Sequence, residues 1–270
     1  MLARLLAYAV LLGLAASALA QTEGFPLLRA WAGGAELDGE PKAPPAASLE
    51  DRLARGKELF GPMCVRCHGF DGRGGGAAGV GMEPPPANLV DRKVKFSSTP
   101  PSVKPTELDL FRTITRGVHG TGMPAFADWP EADRWALATY VRSIQPGTEA
   151  PAVEAPQLPA DLESPERLAR GAELARAQAC TGCHAAGNAF AAPVLEEHIP
   201  KRSRAPAELY LTLQLGIPGT AMTGRDLPPD DLWALVAWAR SRLPATGSRG
   251  MNLQEQEALT QVIDSCANNL

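Results

Sequence analysis

One pentapeptide pattern, present twice, constrains this chain more than any other feature. Cys64-Val65-Arg66-Cys67-His68 and Cys180-Thr181-Gly182-Cys183-His184 both read Cys-x-x-Cys-His. This is the attachment signature of c-type haem, in which each thiol adds across a vinyl group and the adjacent histidine reaches the iron. A Cys-x-x-Cys pair also serves as half of a zinc site or as a redox dithiol. The chain has the two pairs that a four-cysteine zinc site needs. They lie far beyond zinc-ribbon spacing, however, and each ends in a histidine that a ribbon does not require. The reading is two haem c groups held by Cys64, Cys67, Cys180 and Cys183, with His68 and His184 as proximal iron ligands. The fifth cysteine, Cys266, reads as an unpaired thiol on a terminal tail, with an intermolecular bridge as the alternative.

The repetition extends well past the hooks. Upstream, Arg52-Leu53-Ala54-Arg55-Gly56-Lys57-Glu58-Leu59 resembles Arg167-Leu168-Ala169-Arg170-Gly171-Ala172-Glu173-Leu174. Ser48 before Glu50 and Asp51, and Ser164 before Pro165 and Glu166, are helix-start signals. Downstream, a helix through Glu131–Arg142 matches one through Pro229–Arg240, with Trp135 aligned to Trp233 and Tyr140 to Trp238. A middle helix is expected in each copy, over 107–116 and 207–215. A glycine inside a helix costs about 1 kcal/mol relative to alanine, so Gly56 and Gly171 need a reason. A close crossing with the last helix, under Tyr140 or Trp238, supplies one; an ordinary tolerated glycine is the alternative.

An iron held by one histidine has a second axial position, and a thioether there favours electron transfer by raising the reduction potential. Met123, in Gly122-Met123-Pro124, and Met222, in Ala221-Met222-Thr223, sit at matching distances before the last helices and are the expected distal ligands. Met63, Met82, His119 and His198 are weaker competitors. Met222 lacks the proline that follows Met123, which leaves the geometry of its loop open.

Met1–Arg4, the apolar run that follows and Ala18-Leu19-Ala20 read as a secretory signal peptide over 1–20. The run is shorter than the roughly 20 residues that span a bilayer; an uncleaved membrane anchor is the alternative. The expected organisation is a leader over 21–47, a first domain over 48–145, a Pro-rich linker over 146–163, a second domain over 164–243 and a tail over 244–270. With 26 Gly, 25 Pro and only 6% aromatics, small loop-rich domains completed by a flat cofactor are expected. A net charge of −4 argues against nucleic-acid binding. Two basic loops, Arg92, Lys93, Lys95 and Lys201, Arg202, Arg204, are either solvated or paired with haem propionates or a redox partner.

With the hooks, the glycine-bearing helices, the methionine loops and the closing aromatic helices in place, the chain resembles a tandem of class I cytochrome c domains. Dihaem cytochromes of the c4 type, and dihaem cytochrome subunits of periplasmic oxidoreductases, are built this way. The likeness covers roughly 48–145 and 164–243. It implies an all-α fold, each domain wrapped around a covalent haem, and a proline carbonyl that accepts a hydrogen bond from the proximal histidine. The matching positions are Pro86 and Pro193. The implied role is electron transfer in the periplasm between a redox protein donor and acceptor, with a membrane or periplasmic oxidoreductase as a candidate partner and no small-molecule substrate. The alternative is a dihaem enzyme of the peroxidase or thiosulfate dehydrogenase type, with one replaceable haem position.

Overall fold

The computed structural model describes residues 47–91, 94–189, 192–198, 200–201 and 204–244. The expected signal peptide, nearly all of the leader and the tail, Cys266, Arg92, Lys93 and Arg202 lie outside the described residues. Within them the regular structure is helical. The first set is α1 (Leu49–Met63), α2 (Val65–His68), a 3-10 turn (Ala77–Gly79), α3 (Glu107–Arg116) and α4 (Glu131–Ile144). The second is α5 (Pro165–Ala177), α6 (Cys180–His184), α7 (Pro206–Leu215) and α8 (Pro229–Arg242). No strand is formed among the described residues; Val103–Thr148 and Gly216–Thr223 are isolated bridges. No described helix is long and apolar enough to cross a membrane.

Local chemistry starts the long helices where the sequence says it should. Ser48 accepts from the Asp51 backbone N–H, and Ser164 accepts from that of Arg167, each satisfying a donor the helix leaves open. Thr106 and Asp109 form a reciprocal capping box on α3.

The glycines of α1 and α5 are explained by a close crossing. A Cβ on Gly56 would stand 2.1 Å from the Ala136 carbonyl oxygen and 2.7 Å from the Tyr140 Cβ. On Gly171 it would stand 2.0 Å from the Ala234 oxygen and 2.7 Å from the Trp238 Cβ. Only hydrogen fits at either contact, so α1 beds against α4, and α5 against α8, backbone to backbone. Each crossing carries the same ionic clasp: Arg55 grips both oxygens of Asp133, and Arg170 both oxygens of Asp231.

The middle helices complete two cores. Phe111 stacks on Trp135 with centroids 4.1 Å apart, and Tyr210 lies 4.6 Å from Trp233. Both tryptophans are almost wholly buried. Full burial of side chains of this size contributes about 2–3 kcal/mol each. The result is two small helical bundles, the chain between α4 and α5 running without a helix.

Candidate cofactor sites

In the first bundle α1 runs almost directly into the hook. Cys64 donates its N–H to Phe60 O, and one helical turn closes through His68 N–H to Cys64 O at 2.8 Å. In the second, α5 stops at Ala177 and the chain turns through Ala179, a non-glycine residue in the left-handed region (φ 54°), before α6. The four hook cysteines are half-buried and form no disulfide among the described residues. Burial, with a smaller contribution from Cys67, pushes the Cys64 thiol up to about 12. Burial also raises Cys180, opposed by the nearby charge of Arg225. Both are held as neutral thiols rather than thiolates.

The two histidines are oriented alike. His184 Nδ1 lies 2.8 Å from the Pro193 carbonyl oxygen. His68 Nδ1 lies 2.8 Å from the carbonyl oxygen of Ala87, which corrects the expectation of Pro86 by one residue. The loop between hook and acceptor is longer in the first bundle, and its proline run has a separate job. The Pro86 ring packs over Gly79, where an added Cβ would meet Pro86 Cγ at 2.5 Å and Cys67 O at 3.3 Å. That ring pins the loop to the hook, and the next carbonyl is the one presented to His68. A carbonyl only accepts, so the proton sits on Nδ1 in both rings and Nε2 keeps its lone pair for a metal. Burial pulls the His68 pKa down, with the Ala87 bond opposing it, and the ring is neutral at neutral pH.

The methionine loops share one wiring. Val118 N–H donates to Met123 O at 3.0 Å, and Ile217 N–H to Met222 O at 2.8 Å. Thr121 Oγ1 donates to Val118 O and accepts from Met123 N; Thr220 Oγ1 donates to Ile217 O and accepts from Met222 N. Each loop starts at a glycine with positive φ, Gly117 at 67° and Gly216 at 72°, where a Cβ would lie 2.6 Å from the methionine carbonyl. Each ends on α3 or α7, by Phe126 N–H to Ile114 O and Arg225 N–H to Leu213 O. The absent proline after Met222 therefore leaves the loop unchanged. The shared pattern Gly-x-x-Gly-Thr-x-Met, at 117–123 and 216–222, carries the fold of the loop and was readable in the sequence as a second repeat.

Of the other expected candidates, Met82 rests against the Met123 loop: a Cβ on Gly122 would meet its Sδ at 2.5 Å. His198 Nδ1 lies 3.1 Å from Val194 O. Arg204 bonds the Pro244 carbonyl, and Lys95 and Lys201 are exposed. Among the described residues no three or more His, Cys, Asp or Glu side chains gather to hold a metal, so the two hooks do not form one zinc site. What each bundle offers is a pair of thiols, an imidazole with Nε2 free and a thioether loop. Phe60, Val65, Phe126 and Trp129 line the first bundle, and Leu195, Leu213 and Leu227 the second. This donor set, one nitrogen and one sulfur with two attachment thiols in an apolar setting, fits an iron tetrapyrrole.

Comparison with known proteins agrees with this chemistry. Residues 53–145 match the family described as cytochrome c, and residues 166–238 match cytochrome C oxidase, cbb3-type, subunit III. No curated protein matches the chain at a significant level. Among solved structures, the chain is similar in fold to a chain of the Kuenenia stuttgartiensis reducing HAO-like protein complex. The TM-score is 0.62 at 23% identity, covering 70% of this chain and 96% of that one. Two all-α cytochrome c domains, each with its own hook, make this chain a dihaem c-type cytochrome that holds one covalently bound haem c per domain.

Proposed function

We propose that this cytochrome passes electrons between redox proteins of the periplasm, with His68 and Met123 the axial ligands of the first iron and His184 and Met222 those of the second. The observation that carries this reading is the identical wiring of the two methionine loops, paired with two histidines that keep Nε2 free. The haems supply the one-electron Fe(III)/Fe(II) couple when bound. The chain's own residues do the rest: the hooks fix position, the Ala87 and Pro193 carbonyls fix the imidazole planes, and the apolar lining keeps water away. A signal peptide over 1–20 fits this compartment, since covalent haem attachment takes place outside the cytoplasm. The place of the similar chain within a complex supports a role as the cytochrome subunit of a larger oxidoreductase.

A second reading is favoured by one feature. Thr220, Ala221, Thr223 and Gly224 around Met222 are exposed, whereas Thr121, Gly122, Pro124 and Ala125 around Met123 are half-buried. A replaceable thioether at the second iron would suit a dihaem enzyme. Absorption spectra of the holoprotein separate the two. A carrier shows the weak far-red ferric band of methionine–iron ligation from both haems, halved in Met123→Ala and in Met222→Ala, and its ferrous form resists carbon monoxide. Rapid carbon monoxide binding by half of the haem in the unmodified protein would establish the enzyme reading instead.

A further inference from the structure

The middle helices carry acids at equivalent positions. Counting back from the glycine that opens each methionine loop, Asp109 on α3 corresponds to Glu208 on α7, and Thr113 to Thr212. The threonines behave identically, Thr113 donating to Asp109 O and Thr212 to Glu208 O. Both acids are buried, at 3% and 5% exposure. Asp109 accepts within its own domain from the Ser98 backbone and hydroxyl and from the Thr106 backbone. Glu208, one methylene longer, reaches the other domain: it accepts from Arg116 Nη1 at 3.0 Å and forms a longer ion pair with Arg112, whose Nε lies 3.6 Å from the same oxygen.

The surroundings make this contact matter. On the same boundary, burial and then the charges of His198 and Lys201 lower the His119 pKa, and burial and then Lys95 lower that of Lys201. Lys95 of the first domain and Lys201 of the second therefore stand near one another across the junction. A buried carboxylate gripped by two guanidiniums is directional, and such pairs serve register better than stability.

We propose that Glu208 is a positioning residue for electron exchange between the two haems: its clamp on Arg112 and Arg116 holds the second domain at one fixed orientation to the first. The proposal rests on the dihaem carrier reading only for its electron-transfer readout. Without the clamp the facing cations drive the domains apart on their linker, while each domain keeps its own core and haem.

The test uses the holoprotein with Glu208→Gln, Arg116→Gln and the double variant. Absorption spectra and haem content first show that both domains are folded. Small-angle scattering then reports domain orientation, and flash reduction of one haem reports transfer to the other. The expected result is a larger maximum dimension and a several-fold slower interhaem transfer in each single variant, with the double variant no worse than either. Scattering profiles and transfer rates unchanged in both single variants would overturn the proposal. Separated domains with haem of unchanged spectra would support the clamp even if neither haem proved to be a carrier centre.

Discussion

The two domains are built on one skeleton and finished differently on the methionine side. The skeleton includes the glycine crossing, the arginine–aspartate clasp and the Gly-x-x-Gly-Thr-x-Met turn, all reproduced contact for contact. The finish does not repeat. In the first domain the turn is followed by Pro124, and Met82 packs on Gly122. Phe126 packs edge-on against Trp129 with centroids 5.1 Å apart. In the second, Thr223 and Gly224 are exposed and Arg225 stands at the backbone position of Phe126. Fold is thus carried by the repeated contacts, and whatever distinguishes the two irons is carried by the covering that was free to diverge.

The skeleton is the place where the domains should respond equally, and most strongly. Alanine at Gly56 or Gly171 drives a Cβ into a carbonyl oxygen, which no rotamer change relieves. Each is expected to cost its own domain about 3 kcal/mol. Calorimetry of the holoprotein checks this through two transitions, only one of which moves per variant. If both transitions fell together, the comparison of two separately built domains would fail.

The covering should respond unequally. Phe126→Arg places a charge among aromatic side chains and is expected to destabilise the first domain by about 2 kcal/mol. Arg225→Phe removes a charge from a half-exposed position and should leave stability within about 0.5 kcal/mol. Its effect is expected in the potential. The guanidinium is close enough to Cys180 to oppose the effect of burial on that thiol. A fixed positive charge there favours the less positive ferrous iron. Redox titration should show the second haem lowered by on the order of tens of millivolts and the first unmoved. A fall in the first haem instead would assign Arg225 to the wrong site.

Met82 is the sharper instrument for the first domain's cover. In Gly122→Ala the new Cβ meets the Sδ and Cε of a flexible side chain, at 2.5 and 3.1 Å, so the expected cost is about 1 kcal/mol. Paired with Met82→Ala, that penalty should vanish, because the colliding atoms are gone. A penalty that persisted in the double variant would mean that Met82 is not what closes this loop.

Much of this was legible in the chain. The hooks stand out because haem attachment demands fixed chemistry at fixed spacing, and Gly56 and Gly171 because glycine inside a helix needs a reason. Ser48 and Ser164 mark helix starts through a purely local bond. What escaped was set by tertiary context. Pro86 was the natural acceptor for His68 by analogy with Pro193, yet the longer loop spends that ring on Gly79 and offers Ala87. The partner of Glu208 lies on α3, 92 residues away in sequence, and nothing in the periodicity of α7 reveals it. The loop geometry at Met222, open in the sequence for want of a following proline, is set by backbone and threonine hydrogen bonds.

The smallest expected effect tests the clasp that both domains share. The Arg55 guanidinium, hydrogen-bonded to both oxygens of Asp133, holds this carboxyl below the usual carboxylate range. A carboxyl depressed in the folded state adds stability above its unfolded pKa of about 4, and loses it as pH falls through the folded value. The pair is exposed and screened by solvent, so its contribution is slight. Asp133→Asn should therefore flatten the acid limb of the first domain's melting curve below about pH 4 while leaving the second domain's transition where it was. An acid limb as steep in the variant as in the parent would assign the first domain's acid sensitivity to another carboxyl.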